Sequence, residues 1–461
     1  MKRALVVSYH FSPDRSVGAK RPTELVNSML AAGWKVTVLT TKHVDQPAAS
    51  TRQWQDSVEI IQAPHLPGLL NPTYAFLKKL NRSARGAGQE VEQRPTRAAD
   101  DGGNPESGRP PDAPNGTYSF RFLLKRMIIS GQAMLNATKG WLLASMFLLI
   151  YQKIKGQQFD LVISSSPPAS VHFLARFSLI LFNAKWIMDI RDPINMWELV
   201  KPVCRAPYRV AFENWLEKLY LRKADQVVVT TEALGNEMRD VARREGYSYR
   251  VNTVYNGFDG EFIDKSAPFE SGFELAFAGE LYANRNPFPL LKAIKSLMEC
   301  GKIKNGGIRF HLYGNCETWN GYSLRDWAQE NNLEHVVLLH GMLPPNNLEK
   351  ELSRANLLVS YAQQQPLQIP AKTFDYLRYP CKSFVITEDT SSTGEFVRGN
   401  GFGYASDDNL NRLKEMLLLA LNDLSRHNAE SLSQEELRKR KEFSRAAQNR
   451  VYLELIESLG E

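Results

Sequence analysis

Cysteine is scarce in this sequence. Its four residues, Cys204, Cys300, Cys316 and Cys381, are scattered through 461 positions with no CxxC pair and no nearby histidines to complete a ligand pattern. That spacing argues against a disulfide framework and a zinc finger, and reads as reduced thiols of a cytosolic protein. Long apolar runs are lacking too. The longest, Trp141–Tyr151, is too short to cross a bilayer. Behind Lys2 and Arg3 the apolar run Ala4–Val7 is too short for a signal peptide. There is no GxGxxG phrase, no plausible DxD metal motif and no internal repeat.

What is present belongs to a globular protein: 43% hydrophobic and 23% charged residues. The length exceeds what one core usually serves, so two domains of roughly 200 residues are expected. A net charge of +7 and a pI near 9.0 favour anionic partners, either a nucleotide sugar or an acidic membrane surface. Nucleic acid is not expected.

The most informative stretch is Leu357–Thr387. Leu357–Tyr361 and Ser383–Thr387 read as strands, and Pro370 opens a short helix, AKTFDYLR, stopped at Pro380. A βαβ unit follows, with ligands expected at the carboxyl ends of its parallel strands. The first turn offers the N–H groups of Ala371, Lys372 and Thr373, the Lys372 ammonium and the Thr373 hydroxyl, which suit a phosphate. One turn on, the Asp375 carboxylate can accept from a ribose diol. The phrase IPAKTFDYL resembles the donor-nucleotide motif of family 4 retaining glycosyltransferases, which have the two-domain GT-B fold. Pro370 keeps the motif's proline and Asp375 stands at its second glutamate. Leu367 stands where the first glutamate belongs, a departure from the pattern.

Other phrases carry the same resemblance in order. Residues 4–8 and 35–40 read as strands around a loop, Tyr9–Arg21, and a helix, Glu24–Ala32, closed by Gly33. Gly18 permits close approach of a ligand. The opening YHFSPDRSVGAKRPTELVNSMLAAGWKVTVLT resembles the family's, which implies that Gly18 and Arg21 close over the donor. WIMDIRDP, at the end of strand Lys185–Ile190, places Asp189, Arg191 and Asp192 where a substrate cleft belongs. An ion-pair cluster bracing the loop is the other reading of these three. Asn256–Gly260 resembles the family's domain joint.

Beyond the joint, Phe273–Ala278 ends in Gly279, near Tyr282. Glu280 replaces the arginine of the family's GRL, while Arg285 falls at the place of a phosphate-holding lysine. Ile308–Tyr313 ends in Gly314 and Asn315, and Val336–His340 ends in Gly341. The resemblance implies that these two ends sandwich the base through backbone groups; His340 itself reads as a packed strand-end residue rather than a catalyst. Residues 83–117 are rich in Gly, Pro, Arg and Asp and read as a mobile insertion. Residues 118–139 read as a basic amphipathic helix, whose 118–135 part could meet an anionic membrane.

The expected fold class is α/β, with two Rossmann-like parallel-sheet domains facing across a cleft, residues 1–258 and 259–432. Residues 433–461 would return to the first domain. The resemblance implies an enzyme needing neither metal nor cofactor, and the thiols and the basic segment point to the cytoplasm or the inner face of the cell membrane. It would move a sugar from a nucleotide diphosphate to a glycan or lipid-linked acceptor. In this reading Lys372 and Arg285 neutralise the leaving diphosphate, and Asp189 and Arg191 line the acceptor and sugar side. The nucleotide is held by Gly18, Arg21, Gly279, Tyr282, Gly314, Asn315, Gly341, Ala371, Thr373 and Asp375. Two alternatives stay open: a sugar-nucleotide epimerase or hydrolase on this fold, and a degenerate binding or scaffold subunit. Leu367 and Glu280 favour the second of these.

Overall fold

A computed structural model describes residues 2–14, 16–42, 58–64, 138–193, 207–264, 272–282, 284–426 and 432–459. The expected insertion at 83–117 and the amphipathic segment at 118–135 lie outside the described residues. The first domain runs β1 (Arg3–Ser8), α1 (Val17–Ala31), β2 (Lys35–Thr41), β3 (Val58–Ala63), α2 (Thr138–Ile154), β4 (Leu161–Ser166), α3 (Ser170–Leu181), β5 (Lys185–Ile190), α4 (Pro207–Leu221), β6 (Gln226–Val229), α5 (Glu232–Glu245) and β7 (Arg250–Thr253). Its seven strands are all parallel, in the order β3-β2-β1-β4-β5-β6-β7. Ala4–Val7 and Leu161–Ile163 are buried end to end, as unbroken apolar runs are when helices cover both sheet faces. Local signals agree with the global fold at α5. The Thr231 side chain accepts from the Leu234 amide at its start, and Gly246 closes it at φ 69°.

α1 departs from the expected loop and starts at Val17, seven residues before Glu24. Pro22 lies inside it, and a proline has no N–H for the carbonyl four residues back. That carbonyl is Gly18 O, and it accepts instead from Arg191 Nη1 at 2.6 Å. A side chain from β5's end replaces the missing helical donor, so the helix continues through its proline.

The second domain runs β8 (Phe273–Ala278), α6 (Phe288–Glu299), β9 (Ile308–Tyr313), the hairpin β10 (Thr318–Trp319) and β11 (Tyr322–Ser323), α7 (Leu324–Glu330), β12 (Val337–Gly341), α8 (Pro345–Ser353), β13 (Leu357–Tyr361), α9 (Ala371–Asp375), β14 (Lys382–Ile386), α10 (Ser392–Gly399), β15 (Gly403–Ser406) and α11 (Leu410–Arg426). Its six-stranded sheet is parallel, in the order β12-β9-β8-β13-β14-β15. Strand order reverses at β1/β4 and β8/β13. Crevices form at the carboxyl ends beside such reversals.

Two tail helices follow, α12 (Gln434–Lys441) and α13 (Arg445–Glu457). Arg440 on α12 is fully buried and donates to the carbonyls of Leu377, Tyr379 and Cys381 in the second domain. α13 crosses to the first, where Tyr452 and Ile456 join the cluster of Leu25, Val26 and Met29 on α1.

Candidate functional site

Three strand ends meet at one place. The Gly279 amide donates to Tyr313 O at 2.8 Å, and the Gly314 amide donates to Gly341 O at 2.6 Å. All three glycines have left-handed or related backbones, with φ of 148°, 104° and 66°. A Cβ on Gly314 would lie 2.3 Å from Gly279 O, so glycine is required for this approach. Glu280 turns out to hold the neighbouring loop, because its Oε1 accepts from Asn315 Nδ2 at 3.0 Å.

Lys372 enters this junction from α9. Its ammonium lies 3.9 Å from the centre of the Phe277 ring, and a Cβ on Gly279 would sit 2.3 Å from Nζ. Burial first, and the Arg285 charge second, push this amine down to about 7, with Cys316 and Asp375 opposing. A lysine held against its preference in this way is ready for an anion. Arg285 itself packs its guanidinium 4.4 Å from the Tyr282 ring centre and donates to Glu280 O at 3.2 Å. Gly279, Tyr282, Arg285, Gly314, Asn315, Gly341 and Lys372 thus form one constellation.

α9 is shorter than its sequence suggests. Five α-helical residues give way to a 3-10 turn, Tyr376–Arg378. The Thr373 amide is already taken by Pro370 O at 2.9 Å, so only the amides of Ala371 and Lys372 remain for a phosphate. The Thr373 hydroxyl is buried without a partner. Burial raises the Asp375 carboxyl from its ordinary value, against the pull of Lys20, Arg445 and Arg378, with Asp259 adding to the rise. Lys20, on the first turns of α1, therefore faces Asp375 across the joint, a neighbour that sequence spacing did not reveal.

Arg21 and Asp189 are not in this constellation. They are 5% and 1% exposed and pair with each other, Arg21 Nη2 to Asp189 Oδ1 at 2.9 Å. Arg21 Nη1 also donates to the carbonyls of Val254 and Tyr255, each at 2.9 Å, and Ser165 donates to Asp189 Oδ2 at 2.7 Å. The pair forms a brace inside the first domain, at residues for which the resemblance implies a donor contact (Arg21) and an acceptor-side one (Asp189). Arg191 is committed likewise to Ser166 O and Gly18 O, with Nη2 buried and unpartnered. Of that cluster Asp192 alone is bonded by the second domain, accepting from Gln368 Nε2. Gly18 lies in α1's first turn, beside the His10 ring.

Leu367 has a role of its own. Its carbonyl accepts from Thr231 Oγ1 at 2.6 Å, and its side chain packs on the first domain's core. A bridge between domains occupies the place of the family's glutamate. Nearby, a cavity of about 500 Å³ is lined by Ser12, Asp14, Ser16, Ala19, Lys20, Thr23, Glu24 and Asp259. Among the described residues no group of three or more His, Cys, Asp or Glu could hold a metal.

Known proteins carry the comparison further. The family described as the glycosyl transferase 4-like domain matches residues 18–257. No curated protein matches the sequence. Among solved structures, sucrose-phosphate synthase from Thermosynechococcus elongatus superposes with a TM-score of 0.59 at 14% identity, over 100% of this chain and 99% of that one. Anabaena HepE in complex with UDP-glucose gives 0.55 at 11%, over 99% and 100%. The lipopolysaccharide outer core galactosyltransferase WaaB gives 0.57 at 9%, over 99% of each. At these identities the likeness is one of fold, and the fold is GT-B.

Proposed function

The chain belongs to the glycosyl transferase 4-like family, and on that premise we propose that it transfers a sugar from a nucleoside diphosphate, with retention, to a glycan or lipid-linked acceptor. One observation carries the reading: the half-buried Lys372, its ammonium at the meeting of Gly279, Gly314 and Gly341, with Arg285 beside it. As the glycosidic bond breaks, negative charge grows on the departing diphosphate. Lys372, Arg285 and the amides of Ala371 and Lys372 are fixed cations and dipoles that meet this charge without reorganising. The base lies against the strand ends at Gly314 and Gly341, and Asp375 accepts from the ribose. Asp192, Lys20 and the cavity beside α1 form the acceptor side. Protein cations supply the charge stabilisation that a metal gives elsewhere, so transfer continues in the presence of a chelator. UDP is the first base to try, because the structurally similar HepE holds UDP-glucose.

The test is sugar transfer by Lys372→Ala and Asp375→Ala, after a thermal-shift screen with UDP, GDP and ADP. We expect the lysine variant to lose about a hundredfold or more in turnover and the diphosphate's stabilisation with it. Unchanged transfer by both variants refutes the reading. Leu367 and Glu280 motivate a second one, a nucleotide-binding scaffold subunit, which a bound diphosphate with no turnover on any acceptor would favour.

A further inference from the structure

His340 occupies an unusual place in the edge strand β12. Leu339 pairs with Leu312 and Gly341 with Tyr313, so two steps on β12 oppose one on β9. His340 is the extra residue of a β-bulge, a device that re-aims a side chain beside a functional site. Here its Nε2 lies 2.9 Å from His311 Nδ1, and His311 Nε2 lies 2.8 Å from Glu274 Oε2. Glu274 is 2% exposed and His311 4%, whereas His340 reaches solvent. The Tyr313 ring stacks on His340 at 4.6 Å and 16°. The next residue along each strand is a glycine of the donor constellation, since His340 precedes Gly341 and Tyr313 precedes Gly314.

We infer that Glu274, His311 and His340 are positioning residues: a proton-sharing chain that holds the bulge, and through it the Gly314–Gly341 junction, where the donor's base must bind. The inference rests on the donor-site reading above.

The chemistry of the chain sets its response to pH. With both imidazoles neutral, His311 donates Nε2–H to Glu274 and accepts at Nδ1 from His340 Nε2–H. One added proton is accommodated, because either ring can become the cation while one proton still lies between them. A second proton puts N–H groups on both facing nitrogens and breaks the bond. Other charges face the chain. Arg309 Nη1 lies 3.6 Å from Glu274 Oε1, and Glu351 on α8 pairs at 3.3 Å with Arg354, just past its end, near Tyr313. Burial first, then His311, lower the His340 value from its usual one, with Glu351 opposing. The bond therefore holds with neither ring charged or with one, and is lost only when both are.

The experiment measures the Kd of UDP by calorimetry on the full chain at about pH 7, where the bond is intact. Wild type, His340→Gln, His340→Phe and Lys372→Ala are compared, with unfolding midpoints confirming that each is folded. His340→Gln keeps a side-chain donor for His311 Nδ1, so its affinity stays close to that of the wild type. His340→Phe keeps the stacking but not the bond, and binds about tenfold more weakly at pH 7. A loss in His340→Gln as large as that in His340→Phe, or wild-type affinity in His340→Phe, overturns the inference. If Lys372→Ala loses UDP while His340→Phe does not, the donor site stands and the positioning chain alone falls. No binding of UDP, GDP or ADP by the wild type sinks both.

Discussion

At the scale of single residues, burial decides what a charge is for. Lys372, lowered to about 7, is roughly half protonated at neutral pH before anything binds. A diphosphate beside it restores the full charge, so binding takes up a proton above that value. Donor affinity is expected to fall on the alkaline side by up to tenfold per pH unit, seen as Kd against pH between about 7 and 9. The same shift costs the unliganded fold. The folded lysine holds fewer protons than the unfolded one between about 7 and 10.5, so stability rises with pH through that window. Lys372→Met should therefore raise the unfolding midpoint most below pH 7, with the gain shrinking toward alkaline pH. Arg21 and Asp189 show the opposite use of charge. Their pair is complete and enclosed, so Asp189→Ala strands a buried guanidinium. We expect about 3–5 kcal/mol of lost stability in urea titration, with the donor KM little changed.

At the scale of elements, glycine and proline set distances that larger residues prevent. Gly279 leaves the space that Lys372 Nζ fills. Gly279→Ala places a methyl 2.3 Å from that nitrogen, at a φ of 148° that side chains avoid. The ammonium must move, and donor affinity should drop about tenfold or more while the circular dichroism spectrum stays native. Pro22 works through what it lacks. The carbonyl it leaves free on Gly18 receives Arg191, so α1 is anchored to the end of β5. α9 is too short to act as a full helix dipole, and its side chains carry more of the site than its amides do.

At the scale of the molecule, two sheets are held in one arrangement by a few bridges. Thr231 bonds Leu367 O, Gln368 bonds Asp192, and Phe258 pairs with Ser444 where the tail crosses between domains. Arg445 locks that crossing, with its Nε 2.6 Å from Asp259 Oδ1. The first domain also presents a face that its own core leaves open. Phe147, Tyr151 and Ile154 on α2 are 68%, 49% and 77% exposed, beside Lys153 and Lys155; Ile180 on α3 and Trp215 on α4 are 71% and 56% exposed. No helix among the described residues is long and apolar enough to cross a membrane. A lipid-linked acceptor would bring the protein to a bilayer surface, and interfacial aromatics beside lysines suit an anionic one. With a lipid-linked acceptor, as proposed, flotation with vesicles bearing phosphoglycerol headgroups is expected, and the double variant Phe147→Asp, Ile154→Asp should remain in the soluble fraction. Equal flotation of the two would exclude this face.

Much of this was legible in the sequence, because parallel strands and their glycine ends are local patterns. Apolar runs such as ALVV, the phrase IPAKTFDYL and the position of Arg285 are each set by a few neighbouring residues, and they located the β8–β9–α9 corner. The charged phrase WIMDIRDP was a different matter. Whether Asp189 meets a substrate or Arg21 depends on the chain folding back over a separation of 168 residues, and spacing holds no record of that. For the same reason Leu367 looked like a lost glutamate, and its bridge to Thr231 emerged only once two domains were set side by side. The bulge at His340 needs three strands in register before its hydrogen bonds exist. Local chain chemistry determined the elements and which ends could hold a phosphate. Long-range packing decided which charges were consumed as braces and which were left for a ligand, because a buried charge must be paired by whatever the fold brings beside it.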